Sequence, residues 1–515
     1  MRRVLTCVAG GSLLLAVLSG CTFLPPKHAA PAGVPSVGVP SAAPHDLQAF
    51  YGQNLGWKPC NDGDDCTTVS APVNWDSPGD GAIGLAVIRH AATGKSRGAL
   101  LVNPGGPGGS GYNFVANGVN NAVSDALAQS FDVVGWDPRG VGLSNPIVCY
   151  TDPKQIDQLR YGTFDVPYNT QDWVDELTTA DKAYAAACEK NTGELLGHID
   201  SVSTAKDMDL IRAVLGESKL NYLGYSYGTF LGTVYAELFP GNVGTMVLDG
   251  AVDPLLSDLD TLKAQMNGFD SAFRAYMTDC LAGSGCPFTG SVDDALAEAH
   301  AVLEQIDGLK LTNGDGRVLD SATMGTAISE DLYSKDYWPD LTNLFTALQG
   351  GDPSLAFQHA DSYNSRNPDG TYSDNSLDVY IAVTCLDGDF VKDPHSTLEG
   401  LTEIEQSAPV LGKYFALDDY AVLNTSCANW PAPAVTLPTS YKAEGAPPIL
   451  VISTTNDPAT PYAWGQSLAK QLSSGVLISH TGEGHTAYNR GNVCVDSTVD
   501  NYFVAGTVPS ADPHC

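Results

Sequence analysis

The sequence is short of positive charge. Its 515 residues include 26 Lys and Arg against 59 Asp and Glu, which gives a formal net charge of −33 at pH 7. Because such a chain repels phosphate backbones and anionic lipid surfaces, nucleic acid is not expected as a partner. An acidic surface with little lysine is typical of an exported protein that must stay soluble.

Long apolar runs are also lacking beyond the N-terminus. No later segment has 18 uninterrupted apolar residues, so no transmembrane helix is predicted there. The composition is nevertheless 43% hydrophobic, which is enough to bury a core. The length predicts a core of about 250 to 300 residues with an inserted or appended subdomain.

The N-terminal segment indicates export. Arg2 and Arg3 precede a mostly apolar run over 4–18, and Leu18-Ser19-Gly20-Cys21 resembles a bacterial lipobox. We therefore predict a lipoprotein signal peptide over 1–20 and acyl chains on Cys21 that hold the protein at the outer face of the cell membrane or in the cell wall. A plain secretory signal followed by a coincidental cysteine is the alternative. Residues 21–45 are rich in Pro, Ala and Gly and predict a linker.

Closely spaced cysteine pairs of the Cys-x-x-Cys type are missing, and no Cys/His cluster has zinc-like spacing, so neither a metal nor a cofactor is predicted. Ten cysteines remain beside Cys7 and Cys21, and an even number in an exported chain indicates disulfides. Spacing alone leaves the connectivity open, but two pairs lie within short loops, which favours pairing in sequence order. The predicted pairs are Cys60–Cys66, Cys149–Cys188, Cys280–Cys286, Cys385–Cys427 and Cys494–Cys515.

Strand and helix signals alternate along much of the chain, which is typical of a mostly parallel α/β sheet flanked by helices. One amphipathic helix is expected to be capped by Thr204 and to end at Gly216. The apolar runs that predict strands are 84–90, 99–102, 131–136, 222–223, 245–248, 449–453 and 476–479.

About 200 residues separate the run at 245–248 from that at 449–453, far more than a crossover between parallel strands needs. Segments 262–276, 292–306 and 337–348 show helical apolar spacing. We therefore predict a helical lid over 256–410, inserted into a core made of 46–255 and 411–515. The lid is expected to lie over the carboxyl edge of the sheet.

A Gly-x-Ser-x-Gly pattern, Gly224-Tyr225-Ser226-Tyr227-Gly228, stands between a predicted strand and a predicted helix. In that setting a sharp turn lifts the serine hydroxyl out of the sheet, and the glycines avoid clashes in the tight corner. Ser226 is therefore the predicted nucleophile.

Two further residues follow late strands in the chain order Ser, Asp, His that is typical of α/β-hydrolases. Asp457 follows the run at 449–453, and His485 follows the run at 476–479. His485 is the predicted general base and acid, and Asp457 orients its ring and stabilises its cation. His480 is a rival base and Glu483 a rival acid.

A glycine-rich loop over 103–111 follows the strand at 99–102. Its glycines allow backbone N–H groups to approach a ligand, so the N–H of Gly105 or Gly106 is predicted to form an oxyanion hole with that of Tyr227. On the loop after the next strand, Asp137 and Arg139 are predicted to form an ion pair.

Together these motifs resemble a known family, the prolyl and tripeptidyl aminopeptidases of the α/β-hydrolase class, with secreted actinobacterial tripeptidyl aminopeptidases and mycobacterial cell-envelope lipoprotein proteases among them. The resemblance covers about residues 50 to 515, with a TAP-like C-terminal segment from about 410. Pro104 stands where prolyl iminopeptidases have histidine, which favours the tripeptidyl branch. The motifs are Pro104-Gly105-Gly106-Pro107-Gly108, Asp137-Pro138-Arg139-Gly140-Val141-Gly142-Leu143-Ser144, Gly224-Tyr225-Ser226-Tyr227-Gly228, Asp457-Pro458-Ala459-Thr460-Pro461 and Gly482-Glu483-Gly484-His485.

The resemblance implies a serine aminopeptidase that removes short peptides from substrate N-termini through an acyl-enzyme on Ser226. We expect the protein to be a monomer. A substrate ammonium then needs acidic partners in the lid, for which Glu330, Asp331 and Asp387 are the candidates. A carboxylesterase with the same residues is the alternative enzyme, and a binding lipoprotein with an inactive hydrolase fold is the non-enzymatic one.

Overall fold

The apolar runs of the sequence become neighbouring strands of one nine-stranded sheet. The computed structural model describes residues 47–61, 63–388, 390, 395–510 and 512–515. The predicted signal peptide, Cys21 and the linker lie outside the described residues. The strands are β1 Lys58–Asn61, β2 Asp64–Pro72, β3 Ala82–His90, β4 Ala99–Asn103, β5 Asp132–Trp136, β6 Leu220–Tyr225, β7 Val243–Asp249, β8 Ile449–Asn456 and β9 Gly475–Glu483.

The sheet has the order β1-β2-β3-β5-β4-β6-β7-β8-β9. Strands β4 to β9 run parallel, whereas β1, β2 and β3 pair antiparallel and β3 is antiparallel to β5. The predicted mostly parallel α/β architecture is confirmed. Because parallel strands end at the same edge, the loops after β4, β5, β6, β7, β8 and β9 meet there.

Helices alternate with the parallel strands, as βαβ units require. Short 3₁₀ turns lie at Gly193–Gly197, Pro240–Asn242 and Lys335–Tyr337, and a π turn at Leu417–Ala421. The α-helices are α1 Leu47–Tyr51, α2 Gly111–Ala116, α3 Val119–Ala122, α4 Asp125–Ser130, α5 Pro153–Tyr161, α6 Gln171–Thr192, α7 Ser201–Val214, α8 Tyr227–Leu238, α9 Asp258–Ala282, α10 Val292–Leu309, α11 Ser321–Leu332, α12 Trp338–Gln349, α13 Ser354–Tyr363, α14 Ser376–Asp387, α15 His395–Ser407, α16 Gly412–Ala416, α17 Val422–Ala428, α18 Tyr462–Gln471 and α19 Val493–Ala505.

Helices cover both faces of the sheet, so its central strands read as continuous apolar runs rather than alternating ones. Leu101 and Tyr222 point into a core shared with α7 and α8. Their neighbours Leu100 and Leu223 point into a second core with α4 and α19 on the opposite face. Burial on both faces holds the strand ends rigid, which positions whatever side chains follow them.

The helices between β7 and β8, α9 to α17, form what we call the lid. Most of them share a core around Phe273, Leu341 and Phe345, which also takes in Trp173 of α6. Helices α14 and α17 instead pack their buried side chains into the core shared with the sheet. The three helices predicted in this span correspond to α9, α10 and α12. The helices of the lid continue past residue 410, where the lid was predicted to end. Helix α16 packs on α9 and α11, and α17 packs on α6.

Five disulfides join ten cysteines of the described chain. Cys280–Cys286 closes the loop after α9, and Cys385–Cys427 connects α14 to α17 within the lid. The others are Cys60–Cys66, Cys149–Cys188 and Cys494–Cys515. Within the residues that the structure describes, no helix is both long and apolar enough to cross a membrane.

Candidate active site

Ser226 occupies the turn between β6 and α8 with a backbone conformation that side chains rarely adopt, φ 53° and ψ −127°. Its N–H donates to the Asp249 carbonyl at 2.9 Å, which anchors the turn to the end of β7. The flanking glycines are required by close approach, since a Cβ on Gly224 would lie 2.4 Å from the Gly228 carbonyl oxygen. A non-glycine residue held in this conformation marks a functional turn.

Asp457 and His485 come together at the ends of β8 and β9. Both carboxylate oxygens of Asp457 lie 2.9 Å from His485 Nδ1. Asp457 is 2% exposed and also accepts backbone hydrogen bonds from Ala459, Thr460 and Thr486 at 2.8–3.2 Å. These donors hold the carboxylate, so it can fix the tautomer and the orientation of the imidazole.

Thr460 is a member of this site that the sequence analysis missed. Its Oγ1 lies 2.9 Å from Asp457 Oδ2 and 3.2 Å from His485 Nδ1. The hydroxyl therefore contacts both the acid and the imidazole. In the sequence, only its position three residues after Asp457 could have indicated this role. The same spacing also occurs in ordinary turns.

The remaining imidazole nitrogen is free. His485 Nε2 is buried and has no hydrogen-bond partner among the described residues. Gly250 leaves room for this ring, since a Cβ on Gly250 would lie 3.0 Å from His485 Cε1. A buried ring nitrogen without a partner is the place where a general base receives a proton.

Asp249 connects the serine turn with the histidine loop. Its carbonyl accepts from Ser226, and its carboxylate accepts from the N–H groups of Ala487 and Tyr488 at 2.8–3.1 Å. Burial raises the pKa of Asp249 to about 6. This carboxyl holds the loop that carries His485 in place next to Ser226.

The rival residues have other partners. His480 Nδ1 lies 3.0 Å from Asn492 Nδ2, and Glu483 accepts a hydrogen bond from Asn456. In the described part of the chain, neither makes a hydrogen bond to Ser226, Asp457 or His485. The geometry therefore favours His485 as the base and Asp457 as the acid.

The glycine-rich loop after β4 lies directly against the serine turn. A Cβ on Gly105, at φ 104°, would lie 2.9 Å from Ser226 Cβ and 3.2 Å from Tyr227 N. The N–H of Gly105 already donates a hydrogen bond to Asn103 Oδ1 at 2.9 Å. Those of Gly106 and Tyr227 have no acceptor in the described part of the chain. Of the two predicted loop donors, Gly106 is therefore the one available to an oxyanion.

The lid contacts two of the loops that carry the site. The carbonyl of Tyr333, just after α11, accepts from the His485 N–H at 2.8 Å, and the tyrosine ring lies edge-on to the imidazole at 5.4 Å. Gln265 of α9 donates to the Ala459 carbonyl at 2.8 Å. Residues of the lid therefore contact the loops that carry Asp457 and His485.

The three acids predicted to bind a substrate ammonium all have protein partners. Asp331 is buried and lies 2.8 Å from His359 Nδ1, and Glu330 accepts from Ser362 at 2.9 Å. Asp387 accepts from the N–H and hydroxyl of Ser201, which starts α7. Burial raises the pKa of Asp387 to about 7. Asp331 and Asp387 are thus committed to contacts inside the protein, and the structure does not support them as ammonium ligands.

The predicted ion pair between Asp137 and Arg139 is wrong. Asp137 accepts hydrogen bonds from Ser110 and from the backbone of Tyr112 and Leu143, and so braces the loops after β4 and β5. Arg139 pairs with Asp207 of α7 at 2.7 Å. The two side chains point to different elements although they are only two positions apart.

The site combines a serine on a strained strand-to-helix turn, an imidazole held by a carboxylate, and two free backbone N–H groups. Together with the parallel sheet and the helical lid, it defines a serine hydrolase of the α/β-hydrolase class. Comparison with known proteins agrees. A family model described as "TAP-like protein" matches residues 413–515. The serine protease Hip1 of Mycobacterium tuberculosis is 36% identical over 485 residues, which cover 90% of this chain and 91% of that protein.

Two other relatives carry different names. Carboxylesterase B of Mycobacterium tuberculosis is 38% identical over 454 residues, covering 87% of this chain and 86% of that protein. The tripeptidyl aminopeptidase of Streptomyces lividans is 32% identical over 460 residues, covering 87% of this chain and 83% of that protein. The chain belongs to the tripeptidyl aminopeptidase-like family of α/β-hydrolases.

Proposed function

We propose that this protein is an exported serine aminopeptidase that releases short peptides from substrate N-termini through an acyl-enzyme on Ser226. The observation that carries the proposal is the state of His485, whose Nδ1 is held by Asp457 while its buried Nε2 is without a partner among the described residues. Nε2 makes no hydrogen bond to Ser226 in this structure either, so it is available to take the serine proton once bound substrate brings the two groups within reach.

In the first step, His485 Nε2 takes the proton of Ser226 as Oγ attacks the peptide carbonyl. Asp457 stabilises the resulting imidazolium through the contacts to Nδ1. The C–N bond then breaks, and the leaving amine receives the proton from Nε2. In the second step, water attacks the acyl-enzyme with His485 again as base, which releases the peptide acid and restores Ser226.

Negative charge develops on the carbonyl oxygen during each of the two attacks, as the tetrahedral intermediate forms. The free N–H groups of Gly106 and Tyr227 are suited to receive it, since the Gly105 backbone brings the loop against Ser226. Preorganised donors of this kind contribute about 100- to 1,000-fold in kcat each.

The relatives support peptides as substrates. Two of the compared proteins are named as a serine protease and a tripeptidyl aminopeptidase. A third is named carboxylesterase B, and ester cleavage needs the same nucleophile and oxyanion donors. Carboxylesterase activity is therefore the second candidate function.

Export and anchoring are supported by the N-terminal sequence. Arg2, Arg3 and the apolar run before Cys21 have the features of a lipoprotein signal. The five disulfides fit an oxidising compartment. We propose a monomer held at the cell envelope through lipid on Cys21.

The catalytic assignment is tested by labelling with a fluorophosphonate probe and by digestion of a peptide panel with mass-spectrometric readout. We expect the wild type to be labelled and to release three-residue N-terminal products. Ser226→Ala and His485→Ala should lose both activities by at least about 1,000-fold. His480→Ala is the matched control and should remain within a few-fold of wild type.

The outcomes separate the candidate functions. Turnover of p-nitrophenyl esters without any peptide cleavage would make the protein a carboxylesterase. Internal cleavage would make it an endopeptidase. Persistent labelling of Ser226→Ala, or an inactive His480→Ala with an active His485→Ala, would refute the assignment of the residues themselves.

A further inference from the structure

A space of about 230 Å³, which we call the α5–α6 cleft, lies between α5, α6 and the start of α11. Its wall takes in none of the residues that form the candidate active site. The exposed Gln155, Gln158 and Ala183 line its mouth, whereas Trp173 and Asp181, which are 1% and 0% exposed, line its floor. Since a cavity of about 150 Å³ holds a benzene molecule, the cleft has room for a six-membered ring with its substituents.

Two buried hydrogen-bond donors in the wall have no acceptor. They are Nε1 of Trp173 and Nε of Arg160, and neither has a hydrogen-bond partner among the described residues. Arg160 lies where the cleft adjoins a smaller cavity of about 80 Å³, and its Nη1 donates to two oxygens of Asn364, both at 2.9 Å. Because buried polar groups of folded proteins are almost always paired, unpaired donors indicate that water or a ligand supplies their acceptors.

Two buried acids lie in the same wall. Asp181 accepts from the Thr425 hydroxyl through Oδ2, while Oδ1 has the Ser426 hydroxyl near it but no hydrogen bond. Asp320 is 4% exposed. Arg160 is the one Lys, Arg or His among the described residues that line the cleft. A ligand anion would therefore meet the acids and a ligand cation would meet Arg160, so the wall favours a neutral ligand that both donates and accepts hydrogen bonds.

Aromatic rings form an apolar part of the wall. The ring of Trp173 lies edge-on to Tyr168 at 5.5 Å and to Phe164 at 6.3 Å, and those two rings lie 6.2 Å from each other. Tyr150 adds a fourth ring. Rings packed against one another in this way make a firm surface for the apolar face of a ligand.

We propose that the α5–α6 cleft binds a sugar ring, as a ligand site separate from the candidate active site. Each sugar hydroxyl both donates and accepts, so one neutral ring can pair with the N–H groups of Trp173 and Arg160 and with the carboxyl of Asp181. The C–H face of the same ring packs on aromatic side chains. A purely aromatic ligand would leave the buried donors unpaired. The inference does not depend on the proposed peptidase activity.

The test is saturation-transfer-difference NMR of the full chain with glucose, galactose, mannose, arabinose and N-acetylglucosamine, each at millimolar concentration. The wild type should transfer magnetisation to the ring protons of at least one of these sugars. Ala183→Trp places a large side chain in the mouth of the cleft and should lower the affinity for that sugar by at least about 10-fold. Ala186→Trp adds the same group at an exposed position of α6 outside the cleft and should bind as the wild type does.

Trp173→Phe separates pairing from packing, because it keeps a ring in the wall and removes the indole N–H. We expect it to lower the affinity by about 3- to 10-fold. Peptide and ester hydrolysis should stay within about twofold of wild type in Ala183→Trp, since its position lies outside the candidate active site.

Absence of transfer to all five sugars in the wild type would overturn the proposal, since the cleft would then hold water only. Transfer to phenol, added as a flat aromatic probe, together with none to a sugar would also overturn it and would indicate an aromatic ligand. Sugar binding that is undiminished in Ala183→Trp would place the sugar elsewhere on the protein and refute the assignment of the cleft.

Discussion

Arg139 is fully buried, and each of its five N–H donors has an acceptor. Two reach the carboxylate of Asp207 at 2.7 Å, and the others reach the carbonyls of Pro72, Val73 and His198 at 2.7–3.2 Å. The side chain thereby ties the loop after β5 to α7 and to the end of β2. Its role is structural, and it supports the loop next to the glycine-rich segment.

Removal of the carboxylate from this pair should be costly. Asp207→Ala leaves a buried guanidinium without its counter-charge, so we expect the free energy of unfolding to fall by about 3 to 5 kcal/mol. Guanidinium-chloride unfolding followed by tryptophan fluorescence measures it. Lys206→Ala breaks only the exposed pair with Asp76 and should cost less than about 1 kcal/mol. Equal losses in the two variants would contradict this account.

Thr460 contacts both members of the acid–base pair, so its hydroxyl should matter for the rate. Thr460→Val keeps the shape and removes the hydroxyl, and we expect kcat to fall by about 3- to 30-fold with little change in KM. Thr460→Ser retains the hydroxyl and should recover most of the rate. Steady-state kinetics on a peptide substrate measures both, and an unchanged kcat in Thr460→Val would show that the contact is incidental.

At the residue scale, the candidate residues that the sequence could indicate are those that follow a strand end. Ser226, Asp457 and His485 each follow an apolar run, and parallel strands bring those ends to one edge. Asp137 and Arg139 were mispredicted because the partner of Arg139 lies 68 positions away on α7.

Among the elements, α14 connects the lid to the sheet at both of its ends. The side chain of Asn375, just before the helix, donates to the carbonyls of Gly140 and Ile147 at 2.9 and 3.0 Å and accepts from Gly142 N at 3.1 Å. At the other end Asp387 accepts from Ser201 at the start of α7. The helix therefore has a fixed position over the glycine-rich loop.

Loss of the hydrogen bonds at the N-terminus of α14 should affect the active site. Asn375→Ala removes three hydrogen bonds, and we expect about 1 to 3 kcal/mol of destabilisation. A Cβ on Gly108 would lie 2.5 Å from the Ser376 carbonyl, so the helix start lies directly on the oxyanion loop. We therefore also expect a lower kcat for peptides.

Asn367→Ala is the control for α14, since the half-buried Asn367 side chain hydrogen-bonds only to Thr371 Oγ1 among the described residues. Thermal unfolding and peptide hydrolysis should both remain near the wild-type values in that variant. If Asn375→Ala matched Asn367→Ala in both measurements, α14 would not be held by its N-terminal contact.

The elements were predictable to different degrees. Strands β3 to β9 were found because burial on both faces makes them continuous apolar runs. Strands β1 and β2 were missed, because β1 is exposed throughout and β2 begins with two aspartates. Helix α7 starts at Ser201 with Asp200 as its cap rather than at Thr204, since Asp200 accepts from Ser203 N. When two candidate cap residues lie this close in sequence, the path of the chain that enters the helix determines which of them caps it.

The molecule as a whole carries many more acids than bases, and several acids are buried. Burial raises the pKa of four of these carboxyls to values near neutrality. Because each binds its proton more tightly in the folded state than in the unfolded chain, folding is favoured while they are protonated. Stability should therefore fall as the pH rises through these values. They are Asp181 and Asp387, at about 7, and Asp249 and Asp419, at about 6.

Other acids act in the opposite direction at low pH. Against the effect of burial, hydrogen bonds from Arg366 hold the pKa of Asp157 below its usual value, and those from Arg212 do the same for Asp209. Their contribution is present above the unfolded-state pKa and is lost as the pH falls through the lowered one. The two groups of acids together place maximal stability close to the unfolded-state pKa of aspartate, at about pH 4.

Thermal unfolding across pH should show this maximum. We expect Tm to be highest near pH 4 to 4.5 and to fall by at least about 5 °C by pH 8.5, since each unit of pKa shift corresponds to about 1.4 kcal/mol. Asp181→Asn removes one of the four titrating groups far from the active site. It should raise Tm relative to wild type more at pH 8.5 than at pH 5. A Tm that rises from pH 5.5 to pH 8.5 would contradict this prediction. It would show that these carboxyls ionise in the folded protein without loss of stability, so that their neighbours solvate the charge as well as water does.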